Sequence, residues 1–166
     1  MLRRLIVMRH AKSSWDSGVP DDHSRPLNAR GRRDAPLVAA RLQEIGWAPE
    51  LVVSSDSERT TETLQRMLEE FSPAPQFEFT RALYHAGIHE IREAIVNTSH
   101  EVSTVMVLGH NPGWQQAVAW LSDQQIAMTT ANAALLETEG ESWREALQDD
   151  RTWQLVDVIR PKELVG

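Results

Sequence analysis

Cysteine is absent from the 166 residues, which removes disulfide frameworks, thiolate zinc sites and cysteine nucleophiles from consideration. Long apolar runs are missing too. The one nearest the N-terminus stops at Arg9, too short for a signal-peptide core, and none further on could span a bilayer. A soluble, cytoplasmic protein with no membrane partner is therefore expected. Lysine is scarce, with Lys12 and Lys162 set against 15 arginines. A basic footprint for nucleic acid is lacking as well. The formal net charge is −7, and residues 42–166 carry eight basic against twenty acidic side chains. No nucleic-acid partner is expected of such an acidic body.

The positive charge that exists gathers at the start of the chain. Residues 1–41 hold nine basic and four acidic side chains, a local patch suited to an anion such as phosphate. Arginine serves bidentate phosphate contacts better than lysine does. Arg30, Arg32 and Arg33 read equally well as the solvated face of a helix. With 41% hydrophobic and 25% charged residues, the chain has the make-up of one globular domain spanning 1–166, long enough to bury a core.

The stretch Leu5-Ile6-Val7-Met8 reads as a buried strand that delivers Arg9 and His10 at its end. A loop through Ser17 to Arg25 follows. Asn28 can cap a helix that buries Leu37, Val38, Leu42 and Ile45 and stops at Gly46, with Pro36 inside it as a late start or a bend. Leu51-Val52-Val53 is a short strand. Ser55 with Glu58 has the spacing of a capping box for a helix over about 56–70. Phe77 to Thr80 reads as a strand, and His89 to Asn97 as a helix. Thr104 to Leu108 is a continuous buried strand that ends at Gly109-His110-Asn111-Pro112. Asn111 is placed to cap a helix from Trp114 to Leu121 with Pro112 at its first position. Two more strands fit Ala133 to Thr138 and Trp153 to Ile159. Strands alternating with helices predict a three-layer α/β/α sandwich around a mostly parallel sheet. Trp114, Trp120 and Trp153 are expected in the core, whereas Trp15 could wall a groove or meet a partner.

In such sheets, ligands bind beyond the carboxyl ends of the strands. Arg9 and His10 stand at one end, Ser54-Ser55 and then Arg59 at a second, and His110 at a third. An Arg-His pair alone would arise by chance about half the time in this composition. Its convergence with Arg59 and His110 is what carries weight. The chemistry open to such a cluster is phosphoryl transfer through an imidazole. One histidine attacks phosphorus, and two guanidiniums with the second histidine stabilise the equatorial oxygens. Neighbouring arginines keep the nucleophile unprotonated, and no metal or other cofactor is needed.

Met8-Arg9-His10-Ala11 and Leu108-Gly109-His110-Asn111-Pro112 resemble the two motifs of the histidine phosphatase superfamily, which includes the phosphoglycerate mutases. With Lys12-Ser13-Ser14-Trp15, Arg25 to Gly31, Ser54 to Thr63 and Leu83-Tyr84, the pattern resembles the SixA-type phosphohistidine phosphatases from the first strand to about Trp120. The resemblance implies His10 as nucleophile and Arg9, Arg59 and His110 as the rest of the catalytic phosphate pocket. Lys12, Arg25 and Asn111 are substrate-binding candidates. The implied substrate is a phosphorylated protein such as a histidine phosphotransfer domain, met by a monomer.

Two departures bear on the substrate. Where larger branches carry a carboxylate proton donor, this chain reads Arg81-Ala82-Leu83-Tyr84-His85-Ala86. The segment from Arg59 to Leu83 is also too short for a helical lid subdomain. An open site without an obvious acid should handle alkyl phosphate esters poorly and phosphohistidine better, since an imidazole can be protonated before it leaves. Asp16, Asp22, Tyr84 and His85 are the available proton donors. Asp16 is expected to point away or to pair with Arg25 or Lys12, and Arg25 fits either the groove or an ion pair with Asp21 or Asp22. Three rival readings stand beside this one: a metal hydrolase using His85 and His89, a non-catalytic phosphoprotein-binding module, and a phosphatase of small metabolites.

Overall fold

Alternation along the first strand, β1 (Leu2–Arg9), sends Leu5 and Val7 to one face of the sheet and Ile6 and Met8 to the other. All four are fully buried, which is the signature of a strand covered on both sides. A computed structural model of the chain describes residues 1–16 and 18–164. Ser17, the first residue of the expected loop, lies outside them.

The elements that follow are α1 (Ala29–Glu44), β2 (Leu51–Ser55), α2 (Glu58–Leu68), β3 (Gln76–Thr80), α3 (Ile88–Ile95), β4 (Thr104–Gly109), α4 (Gly113–Ser122), β5 (Ala133–Glu139), the one-turn α5 (Trp143–Ala146) and β6 (Gln154–Ile159). The sheet runs β3-β2-β4-β1-β5-β6. The first four of these strands are parallel to one another, and β5 is antiparallel to both of its neighbours. Helices α1 and α2 pack with Ile6, Met8, Val52, Met106 and Leu108. Helices α3, α4 and α5 cover the opposite face with Leu5, Val7, Val53, Val105 and Val107. This is the expected three-layer sandwich. Residues 69–75 are the whole connection between α2 and β3, which leaves no room for a helical lid. Among the described residues no helix is long and apolar enough to cross a membrane.

Local expectations meet the structure unevenly. Asn28 caps α1 by accepting from the Gly31 amide at 2.9 Å, and the helix runs on through Pro36. The cap of α2 is Ser57 instead of Ser55, and its side chain accepts from the Thr60 amide. The capping box read from Ser55 and Glu58 is absent, because Ser55 is still the last strand residue and its hydroxyl is bonded elsewhere. At α4 the helix starts at Gly113, with Pro112 in the cap position and Asn111 one residue before it. Asn111 Oδ1 nevertheless accepts from the Gln115 amide at 3.2 Å. Trp114 and Trp153 are in the core, but Trp120 is 43% exposed, with the Arg92 guanidinium over its ring.

Candidate active site

Strand register builds the site. β1 and β4 pair in parallel with Arg9 opposite Gly109, so the next residues, His10 and His110, emerge side by side. Their ring centroids are 5.2 Å apart. The His10 backbone is pinned on both sides, donating to the Gly109 carbonyl and accepting from the Ala131 amide. On the other side of β4, Ser54 pairs with Leu108, which brings Ser55 Oγ to 2.9 Å from His110 Nε2.

His10 Nδ1 stands 2.7 Å from the Ala11 carbonyl. A carbonyl only accepts, so Nδ1 carries the proton and Nε2 presents its lone pair. Burial is the strongest influence holding His10 deprotonated. The hydrogen bond to Ala11 opposes it, the charges of Arg59, Arg9 and Arg25 reinforce it, and the ring is held down at about 3. His110 is lowered to about 2, first by burial and then by His10, Arg59 and His85, against a small upward pull from Asp22.

Arg59, on the first turn of α2, is 4% exposed. It donates through Nη1 to the Asp22 carbonyl at 2.7 Å and through Nη2 to Asp22 Oδ2 at 2.9 Å. Arg9 donates through Nη1 to the Met128 carbonyl at 3.1 Å. Burial and the nearby Arg59 charge both lower its pKa, so the two cations are held together against their repulsion. Four buried side-chain nitrogens have no hydrogen-bond partner among the described residues: Arg9 Nε, Arg59 Nε, His110 Nδ1 and Arg4 Nε. Arg4 Nε lies 3.5 Å from a Glu137 carboxylate oxygen. The other three surround His10. Unpaired buried polar atoms are costly, and these three belong to cationic or imidazole side chains of the kind that hold an oxyanion.

The secondary candidates are distributed differently. Arg25 is bound to Asp22 Oδ1 at 3.1 Å and to Ser13 Oγ at 2.8 Å. Its guanidinium stacks 3.6 Å from the ring of Trp15, which is itself 74% exposed. Of the two expected roles, the ion pair with Asp22 is the one these contacts form. Asn111 Nδ2 donates to the Met128 carbonyl at 2.7 Å, the same oxygen that holds Arg9, so its amide braces the arginine. Lys12 uses its backbone, accepting from the Asn28 amide at 3.0 Å. Its ammonium has no ion pair among the described residues. Asp16 is exposed and pairs with neither Arg25 nor Lys12 among the described residues, which leaves the other expected alternative, that it points away. Its backbone amide meets Ser14 Oγ, and Arg25 is already taken by Asp22.

Asp22 proves more central than its place in a polar loop suggests. It receives Arg59, Arg25 and the Tyr84 hydroxyl. Burial pushes its carboxyl upward, but these three donors and the Arg59 charge hold it well below the usual carboxylate range. Ser55, read from sequence as a helix cap, and Ser57, given no role there, both stand behind His110; the end of β2 at Ser55 was the available signal. The two site loops are also clamped by close backbone approaches. A Cβ at Gly31 would overlap the Lys12 carbonyl, and one at Gly113 the Ala86 carbonyl. His85 and His89 go to separate partners, Tyr84 and Glu93. No cluster of three metal-ligating side chains occurs among the described residues.

A family model described as histidine phosphatase superfamily (branch 1) matches residues 5–91. An uncharacterized chloroplastic protein of Arabidopsis thaliana is 41% identical over 170 residues, covering 96% of this chain and 78% of that protein. Among solved structures, a provisionally assigned phosphohistidine phosphatase SixA from Nakamurella multipartitia superposes with a TM-score of 0.81 at 27% identity, covering 97% of both chains. A protein histidine phosphatase SixA in complex with tungstate gives 0.81 at 22% identity, over 97% of this chain and 99% of that one.

Proposed function

The chain belongs to the histidine phosphatase superfamily, and on that premise we propose that it is a phosphatase in which His10 takes the phosphoryl group from phosphohistidine on a protein. The observation that carries this reading is the set of three unpartnered, buried donors around the free Nε2 of His10. Donors of this kind suit equatorial phosphoryl oxygens, whose charge they stabilise.

His10 Nε2 forms a bond to phosphorus while the substrate's P–N bond breaks and its electron pair goes to the departing imidazole. Water then attacks the phosphoryl group on His10, the His10–phosphorus bond breaks, and phosphate leaves with Nε2 restored. The Ala11 carbonyl keeps the proton on Nδ1 throughout, so the attacking nitrogen is never the protonated one. With seven residues joining α2 to β3, no lid stands between the site and a folded partner. A phosphorylated protein surface can therefore reach His10, with Trp15 and Arg25 at the rim to meet it.

The test is incubation with a phosphohistidine-bearing protein labelled in the phosphoryl group. Wild type releases labelled phosphate and, on rapid quench, carries acid-labile label. His10→Ala carries none, and its turnover falls at least about 1,000-fold, as expected for a lost nucleophile. Equal release by the variant would sink the covalent route.

A further inference from the structure

A proton has to reach the leaving group, and the four side chains that could supply it differ sharply in their surroundings. The Tyr84 hydroxyl already donates to Asp22 Oδ2. Asp22 is held ionised by Tyr84, Arg59 and Arg25 and has no proton to give. Asp16 is exposed and contacts none of the phosphate-pocket residues among those described. A further imidazole, His23, stands with Nε2 at 2.7 Å from Asp56 Oδ1.

His85 stands apart from all of these. Its ring lies with its centroid 3.9 Å from that of Tyr84 and 6.4 Å from that of His110. It opens onto a cavity of about 250 Å³ shared with His110, Asn111 and Gly113, and its side chain has no hydrogen-bond partner among the described residues. Its backbone is in the left-handed region, with φ at 56°, which a residue bearing a Cβ rarely adopts. The neighbours explain why the strain persists. Leu83 is fully buried on one side, and Ala86 on the other presses its carbonyl against the glycine backbone of α4. The loop is thus locked so that an exposed, strained histidine faces the same space as His110.

We infer that His85 is the general acid of this site, donating its ring proton to the atom that leaves phosphorus. The inference rests on the phosphatase reading above. As the His10 Nε2–phosphorus bond forms, the bond from phosphorus to the leaving atom breaks and its electron pair takes the proton from the His85 imidazolium. The neutral His85 ring then accepts a proton from the attacking water, and the His10–phosphorus bond breaks in turn. An imidazole can give and regain a proton near neutral pH, so the missing carboxylate is replaced in kind. Esters with poor leaving groups then come within reach of the site.

The experiment compares p-nitrophenyl phosphate, whose leaving group needs no proton, with phenyl phosphate, whose leaving group does. His85→Gly, which also relieves the backbone strain, is expected to lose about 100-fold in kcat/KM on phenyl phosphate and less than about 3-fold on p-nitrophenyl phosphate. Its thermal midpoint should stay at or above that of wild type. The variant should still trap label on His10 from p-nitrophenyl phosphate, which separates this step from nucleophilic attack. An equal loss on both esters, or none on either, overturns the role of His85. A wild type that never labels His10 overturns the phosphatase mechanism itself, and this inference with it.

Discussion

The two ends of β1 each carry an arginine, one buried and one half-buried, and the two are treated in opposite ways. Arg3 is completely enclosed, and every branch of its guanidinium is occupied. Nε donates to the Gly140 carbonyl at 3.1 Å, Nη1 to those of His100 and Val102 at 2.7 and 2.8 Å, and Nη2 to that of Glu141 at 2.7 Å. No carboxylate pairs with it among the described residues; backbone carbonyls take its hydrogen bonds, and its guanidinium lies 5.9 Å from the ring of Trp143. Arg9, six residues along the same strand, makes one carbonyl contact and keeps Nε unpartnered, and Arg59 beside it, though bound twice to Asp22, also keeps Nε unpartnered. A saturated buried arginine is a brace, here tying the turn before β4 to the loop after β5. An unsaturated one has its remaining donors reserved for something the chain does not supply. Composition and spacing do not distinguish the two, because the difference lies in which carbonyls the fold brings near.

That contrast can be broken most severely at Arg3. Arg3→Leu strands carbonyls that now share one cation, and is expected to cost about 3–5 kcal/mol of stability by urea denaturation. kcat/KM per folded molecule should stay within a factor of about two. A loss below about 1 kcal/mol would show that the brace is dispensable. Arg59→Gln should invert the outcome, with kcat/KM falling about 100- to 1,000-fold and a smaller change in the urea midpoint. Vanadate should raise the melting temperature of wild type by linkage and leave that of Arg59→Gln nearly unmoved. Equal protection of both proteins would mean that the open donors do not bind oxyanions.

The smallest of these effects is on pH dependence. His10 and His110 are both held far below the usual imidazole range. Below about pH 6.5 the unfolded chain therefore binds more protons than the folded one. The stability from this source is complete above that pH and is lost as the pH falls. Between pH 7.5 and 6 it amounts to about 1 kcal/mol per histidine, readable from denaturation midpoints. The slope should flatten in the His10→Gln/His110→Gln double variant. A slope that persists would assign it to other groups.

Legibility in the sequence followed the range of the interactions. The strand ends carrying Arg9, His10 and His110 could be read because buried apolar runs stop there abruptly, and parallel register then sets the histidines side by side. The order of the strands and the reversed direction of β5 could not be read, since neither leaves a local mark. Trp120 lies off the core because it is six positions from Trp114, which turns it about 120° around the helix axis. The capping box at Ser55 failed because the strand keeps that residue and its hydroxyl serves His110. Asp22 looked like one acid among several in a loop. Its pairing with Arg25, three residues on, is open to local reading, but only folding brings Arg59 and Tyr84 to it, from 37 and 62 residues away.

The close backbone contacts at Gly31 and Gly113 have a consequence for how such a protein can diverge. They fix the loops behind His10 and His110 by shape, so a side chain at either glycine would dislodge the chemistry whatever the substrate. Trp15, exposed beside Arg25, is bound by no such fit. Descendants of this chain can therefore exchange the rim freely and inherit the cage unchanged. Changes of substrate are then cheap, changes of mechanism are dear, and the two glycines mark the border between them.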